Sequence, residues 1–565
     1  MQYSLEHFFS EDAILKVLCH TRAKMAKQRH DLHFLDNISE NSRLKNLSEN
    51  YKLFPPRRKW VRLSRKDRTE KLISSVEINE KQLIYTVKKY KRKFKNKPES
   101  KPEWLAKLEE TIRKVQYSAL YSSNFELSNP TILPSPKDIS KNQYRPIAQY
   151  NFTDQIIIKQ LSKYLTYQFD LYFTKNAYAF RKNKLHQNTG KIFNHHEAVI
   201  DILEYWKGHK HKPLYIAESD LQKFYDTINH SIIIEKLKEI QKENTHTIDI
   251  RAERLFHSYL KSYSFNKYVQ NRSLHNYDPK VTFPWPQEQL TKYYKLIENE
   301  NIGIPQGGAI SVFIANLVLH SADMEVLQFN KFSPIFYARF CDDIILLHKW
   351  KWRTSFALWR YNNAIKKLKL VIHEPEKIKK YTKDFWNAKS KSPYKWGEPM
   401  KSGFPWLSFV GYQIHFTGNV KIRLNSFKKE KDKIINETTR LLKHINRKSK
   451  QIRLSQSSIL YRFQQKLISM SVGRIDIMSG ENSNHFSWSG GFKVLKLPEI
   501  KIFVLQLKNL DRTRNKCISI IKNKIAHIEK EKSTKKNKHK PLKFYGKPFS
   551  YFGQFEKSET ADNSD

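Results

Sequence analysis

The sequence predicts an α+β fold, and three observations carry that expectation. A buried-strand pattern, Leu214-Tyr-Ile-Ala, runs directly into acidic residues. A second pair of apolar runs flanks Asp342-Asp343 and reads as strand–turn–strand. Helical periodicity fills both ends of the chain, over residues 1–115 and again over about 420–530.

Composition bounds the function. The chain has 565 residues, more than one hydrophobic core usually serves, so two or more packed units are expected. Its 39% hydrophobic and 13% aromatic content excludes a wholly disordered chain. Against 55 acids stand 103 Lys and Arg, a formal charge of +48, which points to a polyanionic partner, most simply nucleic acid. An anionic membrane is the other candidate, but no uncharged run approaches the roughly 18 residues needed to span one, so no membrane partner is expected. The start, MQYSLEHFFSEDAILKVLCH, carries acids and no basic n-region, so it does not read as a signal peptide. A cytoplasmic protein is expected. Cys19, Cys341 and Cys517 are the only cysteines, too few for a disulfide framework, a zinc ribbon or a Cys-rich nuclease module.

Along the chain, residues 1–115 form a basic helical N-terminal extension with a knot of charge at Pro55-Pro56-Arg57-Arg58-Lys59-Trp60. Residues 116–213 are short segments broken by Pro130, Pro134, Pro136 and Pro146, followed by a helical stretch from Asp154. Over 214–415 the strand patterns alternate with helices, and the polar, aromatic stretch near 264–299 reads as an insertion or long loop. Ser231 is placed to cap the helix Ser231-Ile-Ile-Ile-Glu-Lys-Leu. Residues 416–528 are basic and helical, broken by a Gly/Ser/Asn-rich segment at 479–491. The Lys-rich tail, 529–565, reads as disordered.

The chemistry rests on carboxylates. In Tyr337-Ala-Arg-Phe-Cys-Asp342-Asp343-Ile-Ile-Leu-Leu, both acids fall at a hairpin turn. Adjacent carboxylates repel and are costly there unless a divalent cation holds them. Mg²⁺ suits such oxygen-rich sites, binding through one or two carboxylates plus substrate phosphates. An acidic turn on a surface hairpin is the plainer alternative, since Asp is common in turns. Asp220 emerges from the 214 strand, and beside the Asp-Asp hairpin it completes a three-carboxylate cluster able to hold two metals about 4 Å apart. His195-His196 with Glu197 offers a zinc reading, but a surface helix cap or solvated face explains it better.

In this order the segments resemble a reverse transcriptase of the bacterial type, over roughly residues 130–415. Asp342-Asp343 match the Asp-Asp box, with Cys341 where Ala is commoner, and Asp220 matches the first metal-binding acid of the palm. Gly303-Ile-Pro-Gln306-Gly307-Gly-Ala-Ile-Ser311-Val-Phe-Ile-Ala-Asn316 is similar to the PQG motif, with Ala309 and Val312 replacing two usual prolines. Its small residues let backbone approach the nascent base pair. The segment Leu133-Pro-Ser-Pro-Lys137 to Arg145-Pro-Ile resembles the fingers hairpin, which implies that Lys137 and Arg145 close over the incoming triphosphate, with Lys141 competing for the role of Lys137. Asp154-Gln-Ile-Ile and Tyr178-Ala-Phe-Arg181 resemble two further boxes of structural rather than catalytic role. Leu370-Val-Ile-His-Glu-Pro-Glu-Lys377 resembles the motif whose Lys protonates the departing pyrophosphate, although a solvated helix end accounts for it equally well. Phe409-Val-Gly411-Tyr412 is similar to the primer-grip hairpin.

The resemblance implies a right-hand polymerase: fingers over 116–213, palm over 214–415, a helical basic thumb and C-terminal region over 416–528. It implies Mg²⁺, with Mn²⁺ as alternative, on Asp220, Asp342 and Asp343. Tyr225, five residues after Asp220, resembles the family's steric gate against a 2′-hydroxyl, which favours dNTPs and a DNA product over RNA synthesis. The implied partners are an RNA template or non-coding RNA, with a homo-oligomer or partner protein left open. The long basic N-terminal region, the insertion at 264–299 and the lack of nuclease motifs look like defence-associated (antiphage) bacterial enzymes. A retron or group II intron-type enzyme and an RNA-binding scaffold without turnover are the alternatives.

Overall fold

The computed structural model describes residues 3–39, 49–64, 75–181, 195–209, 212–271, 274, 278, 280–328, 330, 332–446, 455–471, 488, 491–492, 495 and 501–532. The expected tail beyond 532 and nearly all of the 479–491 break lie outside the described residues. The chain forms two compact units, residues 1–17 with 107–410 and residues 18–106 with 411–565. The stretch 1–115, expected as one extension, is therefore shared between them. No helix among the described residues is long and apolar enough to cross a membrane.

The strands are β1 (Thr131–Asp138), β2 (Gln143–Gln149), β3 (Leu214–Ser219), β4 (Phe336–Phe340), β5 (Asp343–His348), β6 (Lys391–Trp396), β7 (Trp406–Phe409), β8 (Tyr412–His415) and β9 (Val420–Ile422). The longer helices are α1 (Glu11–Ser39), α2 (Ser75–Lys93), α3 (Glu103–Gln116), α4 (Phe152–Phe169), α5 (His195–Gly208), α6 (His230–Glu243), α7 (Ile250–Lys261), α8 (Ser311–Leu327), α9 (Lys351–Lys367), α10 (Leu424–Ile445), α11 (Gln456–Ser471) and α12 (Lys501–Lys532).

In the first unit, four strands pair in the order β4-β5-β3-β6, all antiparallel. β5 is buried along Ile344-Ile-Leu-Leu347, and β3 beside it buries Leu214, Ile216 and Ala217. Such continuous apolar runs need cover on both faces. α8 buries Phe313, Ile314, Leu317 and Val318 on several sides, as a core helix does. Helices and sheet are segregated, so the fold is α+β, as the sequence predicts.

Three local expectations change. Asn229, not Ser231, caps α6: its side chain accepts from the Ser231 backbone N–H at 2.8 Å and from the Ser231 hydroxyl at 2.6 Å. A short amide reaches back to these donors more readily than a hydroxyl already inside the helix. His196 and Glu197, expected on a solvated face, are buried at the start of α5. The described residues of 264–299 pack: turns at Phe265–Val269 and Gln287–Leu290 bury Phe265, Val269 and Leu290 against Tyr263, Tyr294 and Ile302.

In the second unit β8 and β9 pair antiparallel, and Gln506 of α12 both donates to and accepts from the Ile422 backbone, at 2.9 and 2.8 Å. Trp60 of the basic knot is buried and donates to the Pro55 carbonyl, while Arg57, Arg58 and Lys59 stay exposed. Apolar anchoring thus displays the charge.

Candidate active site

Register brings the acids together. β3 and β5 pair antiparallel, Tyr215 opposite His348 through Ser219 opposite Ile344. One step further on that register sets Asp220 opposite Asp343. Asp343 lies within hydrogen-bonding reach of Asp220, and burial, Asp220 and Asp342, in that order, hold its carboxyl well above the ordinary range. Burial and then the Asp220 charge push Asp342 up to about 6. Neighbouring carboxylate charge disfavours ionisation of Asp342 and Asp343.

The hairpin joining β4 to β5 turns at Cys341 and Asp342, with Cys341 at φ +58°. A non-glycine residue there is strained, and a buried brace holds it. Arg339 forms a two-pronged pair with Asp323, both bonds 2.7 Å, and donates to the Cys341 carbonyl at 3.1 Å and to Asn316 at 3.2 Å. Tyr337 adds a bond to Asp323 at 2.5 Å. Arg339 and Asp323 are both fully buried. A charged residue inside the apolar run Tyr337-Ala-Arg-Phe was the signal in the sequence.

Other charges meet Asp220. Lys389 Nζ stands 3.7 Å and His373 Nε2 4.0 Å from its carboxylate, and the Ser390 hydroxyl accepts from its backbone N–H at 3.0 Å. Lys389 had no pattern to mark it in a Lys-rich chain. Lys377, the lysine singled out by resemblance, is exposed one residue after Glu376, whose backbone pairs with that of Lys391.

Tyr225 is half-buried, its hydroxyl pushed up by burial and then by Cys341 and Asp342. The segment bearing it is clasped to the glycine-rich turn. Ile304 N–H donates to the Tyr225 carbonyl at 2.7 Å, and Gly303 N–H to the Ile228 carbonyl at 2.7 Å. Gly303 adopts φ +92°, and a Cβ there would sit 2.4 Å from Phe265 Cβ, so only glycine fits. Gln306 donates to the buried Asp226 at 2.7 Å and bridges to Ile147 of β2, with Gly307 turning at φ +76° just beyond.

β1 and β2 form the upstream hairpin, with Ser135 opposite Arg145 and Pro136 opposite Tyr144. Lys137 and Arg145 are exposed on it. Their charges reach the buried Asp226, and that of Lys137 reaches His373, which stands beside Asp220. Lys141 instead acts on Asp138. Asp154 and Arg181 hold backbone: Asp154 accepts from Ser128, and Arg181 pairs with Asp170 at 2.7 Å. Phe409 ends β7 in the first unit, whereas Gly411, at φ +87°, and Tyr412 open the second.

Among the described residues, no three His, Cys, Asp or Glu side chains already converge as a metal-binding set. The donors at Asp220, Asp342 and Asp343 are all carboxylate oxygens, set at one end of the β3–β5 pair. That donor set fits a hard divalent cation.

Residues 134–414 match the family described as reverse transcriptase (RNA-dependent DNA polymerase). No curated protein matches the chain. Among solved structures, apo telomerase from Candida tropicalis aligns at 12% identity and TM-score 0.34, covering 74% of this chain and 68% of that one. A form of it truncated from the C-terminal domain aligns at 15% identity and TM-score 0.32, covering 53% of this chain and 55% of that one. Candida albicans telomerase, in complex with a fragment of telomeric RNA, aligns at 11% identity and TM-score 0.30, covering 80% and 71%. The chain thus spans about half the length of the truncated telomerase it matches.

Proposed function

We propose that this chain, whose residues 134–414 match the reverse transcriptase (RNA-dependent DNA polymerase) family, adds deoxynucleotides to a 3′-hydroxyl at Asp220, Asp342 and Asp343, copying RNA. The observation that carries the reading is the β3–β5 register, which sets Asp220 against Asp343 at the hairpin turn. These acids would hold Mg²⁺, with Mn²⁺ as the alternative. When bound, a divalent ion supplies positive charge that eases loss of the 3′-hydroxyl proton and departure of pyrophosphate.

The chain's own groups do the rest. Lys137 and Arg145 present cations to the incoming triphosphate from the β1–β2 hairpin. Tyr225 closes the space beside the nucleotide sugar. Gln306 and Gly307 offer a narrow backbone surface to the nascent base pair, and Phe409, Gly411 and Tyr412 are assigned to the primer. Lys377 delivers a proton to the leaving pyrophosphate. Lys389, 3.7 Å from Asp220, offsets the charge of the acids.

The finer assignment is to bacterial, cytoplasmic antiviral defence with a non-coding RNA as template or scaffold. Supporting it are the long basic N-terminal region and a cysteine content too low for a Cys-rich nuclease. Primer extension with and without added RNA template tests the polymerase reading: template-dependent DNA synthesis is expected, and no incorporation under either condition would leave a scaffold. Sequencing nucleic acid that copurifies with the protein tests the defence reading, since one dominant non-coding RNA is expected and a random mixture would sink it.

A further inference from the structure

A second face of the first unit turns aromatic rings outward, away from the acids. β5 leaves the hairpin at Asp343 and ends at His348, about 17 Å along the strand, and α9 begins at Lys351. Trp350, Trp352 and Trp359 are 46%, 59% and 56% exposed. Tryptophan is usually well buried, so three open rings within ten residues form a patch that calls for an occupant. They are ordered in pairs. Trp350 stacks on Trp352 with centroids 5.8 Å apart and planes 20° from parallel, and Phe356 on Trp359 at 5.9 Å and 25°. Positions 352, 356 and 359 share one helix face over about 10 Å of rise.

Charge identifies the occupant. α9 reads KWRTSFALWRYNNAIKK, with five basic residues and no acid. Lys349 Nζ lies 4.4 Å from the Trp350 ring centre, and Lys351 is exposed between the two stacked tryptophans. Arg360 is engaged by Glu325 of the neighbouring helix and by Gln328 just past its end, whereas Lys349 and Lys351 flank Trp350 in the chain. Lys is depleted from the centres of protein–protein interfaces, which argues against a protein docked here. Open rings interleaved with amines suit unpaired bases joined by phosphates, whereas a duplex hides its base faces. We propose that Trp350, Trp352, Phe356 and Trp359 form a stacking platform for single-stranded nucleic acid, separate from the carboxylate site.

The test uses the full chain and short single-stranded RNA and DNA carrying photoreactive 4-thiopyrimidines. Crosslinks are expected in the peptide around residues 349–360, competed by unlabelled single strand and not by duplex. Comparing the RNA and DNA arms shows which strand is preferred. Trp352→Ala with Trp359→Ala should cut labelling about tenfold or more, while extension of a short primer–template stays unchanged. Lys349→Glu with Lys351→Glu, which leaves every ring in place, should cut it too. Crosslinks that map only elsewhere overturn the proposal. So does a wild-type chain that self-associates in sedimentation while the double tryptophan variant does not, since the face would then be an interface between copies.

Discussion

Gln306 Nε2 donates to Asp226 Oδ1 at 2.7 Å, and this bond ties the glycine-rich turn to the segment that carries Tyr225. It also fixes which end of the Gln306 amide faces inward. Asp226 is fully buried, and its second carboxylate oxygen has no hydrogen-bond partner. Asp226→Ala would leave the half-buried Gln306 amide without this acceptor, a cost of about 1 kcal/mol. The dNTP KM is expected to rise about tenfold, with kcat falling less, whereas Asp226→Asn, whose Oδ1 still accepts, should stay close to wild type. Steady-state kinetics on both variants checks this. An equal loss of kcat in both at unchanged KM would mean the bond does not position the nucleotide site.

The same residue sets a pH dependence of stability. Burial pushes the Asp226 carboxyl from 3.8 up to about 6, against the opposing effects of Gln306, Lys223, Arg145 and Lys137, while Tyr263 stands close by. A carboxyl whose folded value is raised favours the fold when protonated. Its contribution is full below pH 3.8 and is lost as pH climbs through about 6. Relative to wild type, Asp226→Asn should therefore gain stability between pH 4 and 7, by an amount on the order of 2 kcal/mol. Denaturant unfolding at several pH values reads the difference, and a gap that does not widen with pH counts against a charged, buried Asp226.

The hairpin acids make a prediction with a readout besides activity. Mg²⁺ binding to the folded chain should raise Tm, because a ligand that binds only the native state stabilises it. Asp342→Asn with Asp343→Asn removes two negative charges and keeps the side-chain shape. The double variant should lose the Mg²⁺-dependent rise in Tm and lose polymerisation by several orders of magnitude, while its metal-free unfolding remains cooperative. Retention of both properties would remove the hairpin from the catalytic centre.

What the sequence made legible were features written in consecutive residues. The strand ending at Asp220, the Asp342-Asp343 hairpin and the Gly303–Ser311 turn are local patterns of apolarity, charge and small side chains, and each forms an element where its pattern lies. Long-range partners were not legible. Lys389 reaches Asp220 only because β6 pairs with β3, and Asp323 reaches Arg339 from a helix whose apolar pattern gave no sign of a buried acid. The stretch 264–299 misled through its polarity: Tyr and Trp hydroxyl and indole groups gave it a loop-like reading, yet Trp285 donates to the Asp226 carbonyl at 2.8 Å and Tyr294 accepts from Asn229 at 3.1 Å. Aromatic polar groups with such partners pack as core.

Tyr225 provides the sharpest test of product chemistry. Its carbonyl accepts from Ile304, its ring meets Phe224 at 5.2 Å in an edge-on contact, and its hydroxyl feels Cys341 and Asp342, so backbone and ring are both held beside the acids. On the proposed reading a phenol fixed there would leave little room for a 2′-hydroxyl, whereas a deoxy sugar would lie against the ring. Tyr225→Ala should open that space, with dNTP use weakened by lost packing and rNTP use gained. The quantity to measure is kcat/KM for dNTP over that for rNTP, which separates differential transition-state binding from general damage. Relief of a clash of about 3 kcal/mol would change the ratio roughly a hundredfold. Tyr225→Phe, which keeps the ring, should leave the ratio near that of wild type. If Tyr225→Ala loses activity on both sugars in equal proportion, the ring serves only packing, and sugar selection lies in another residue.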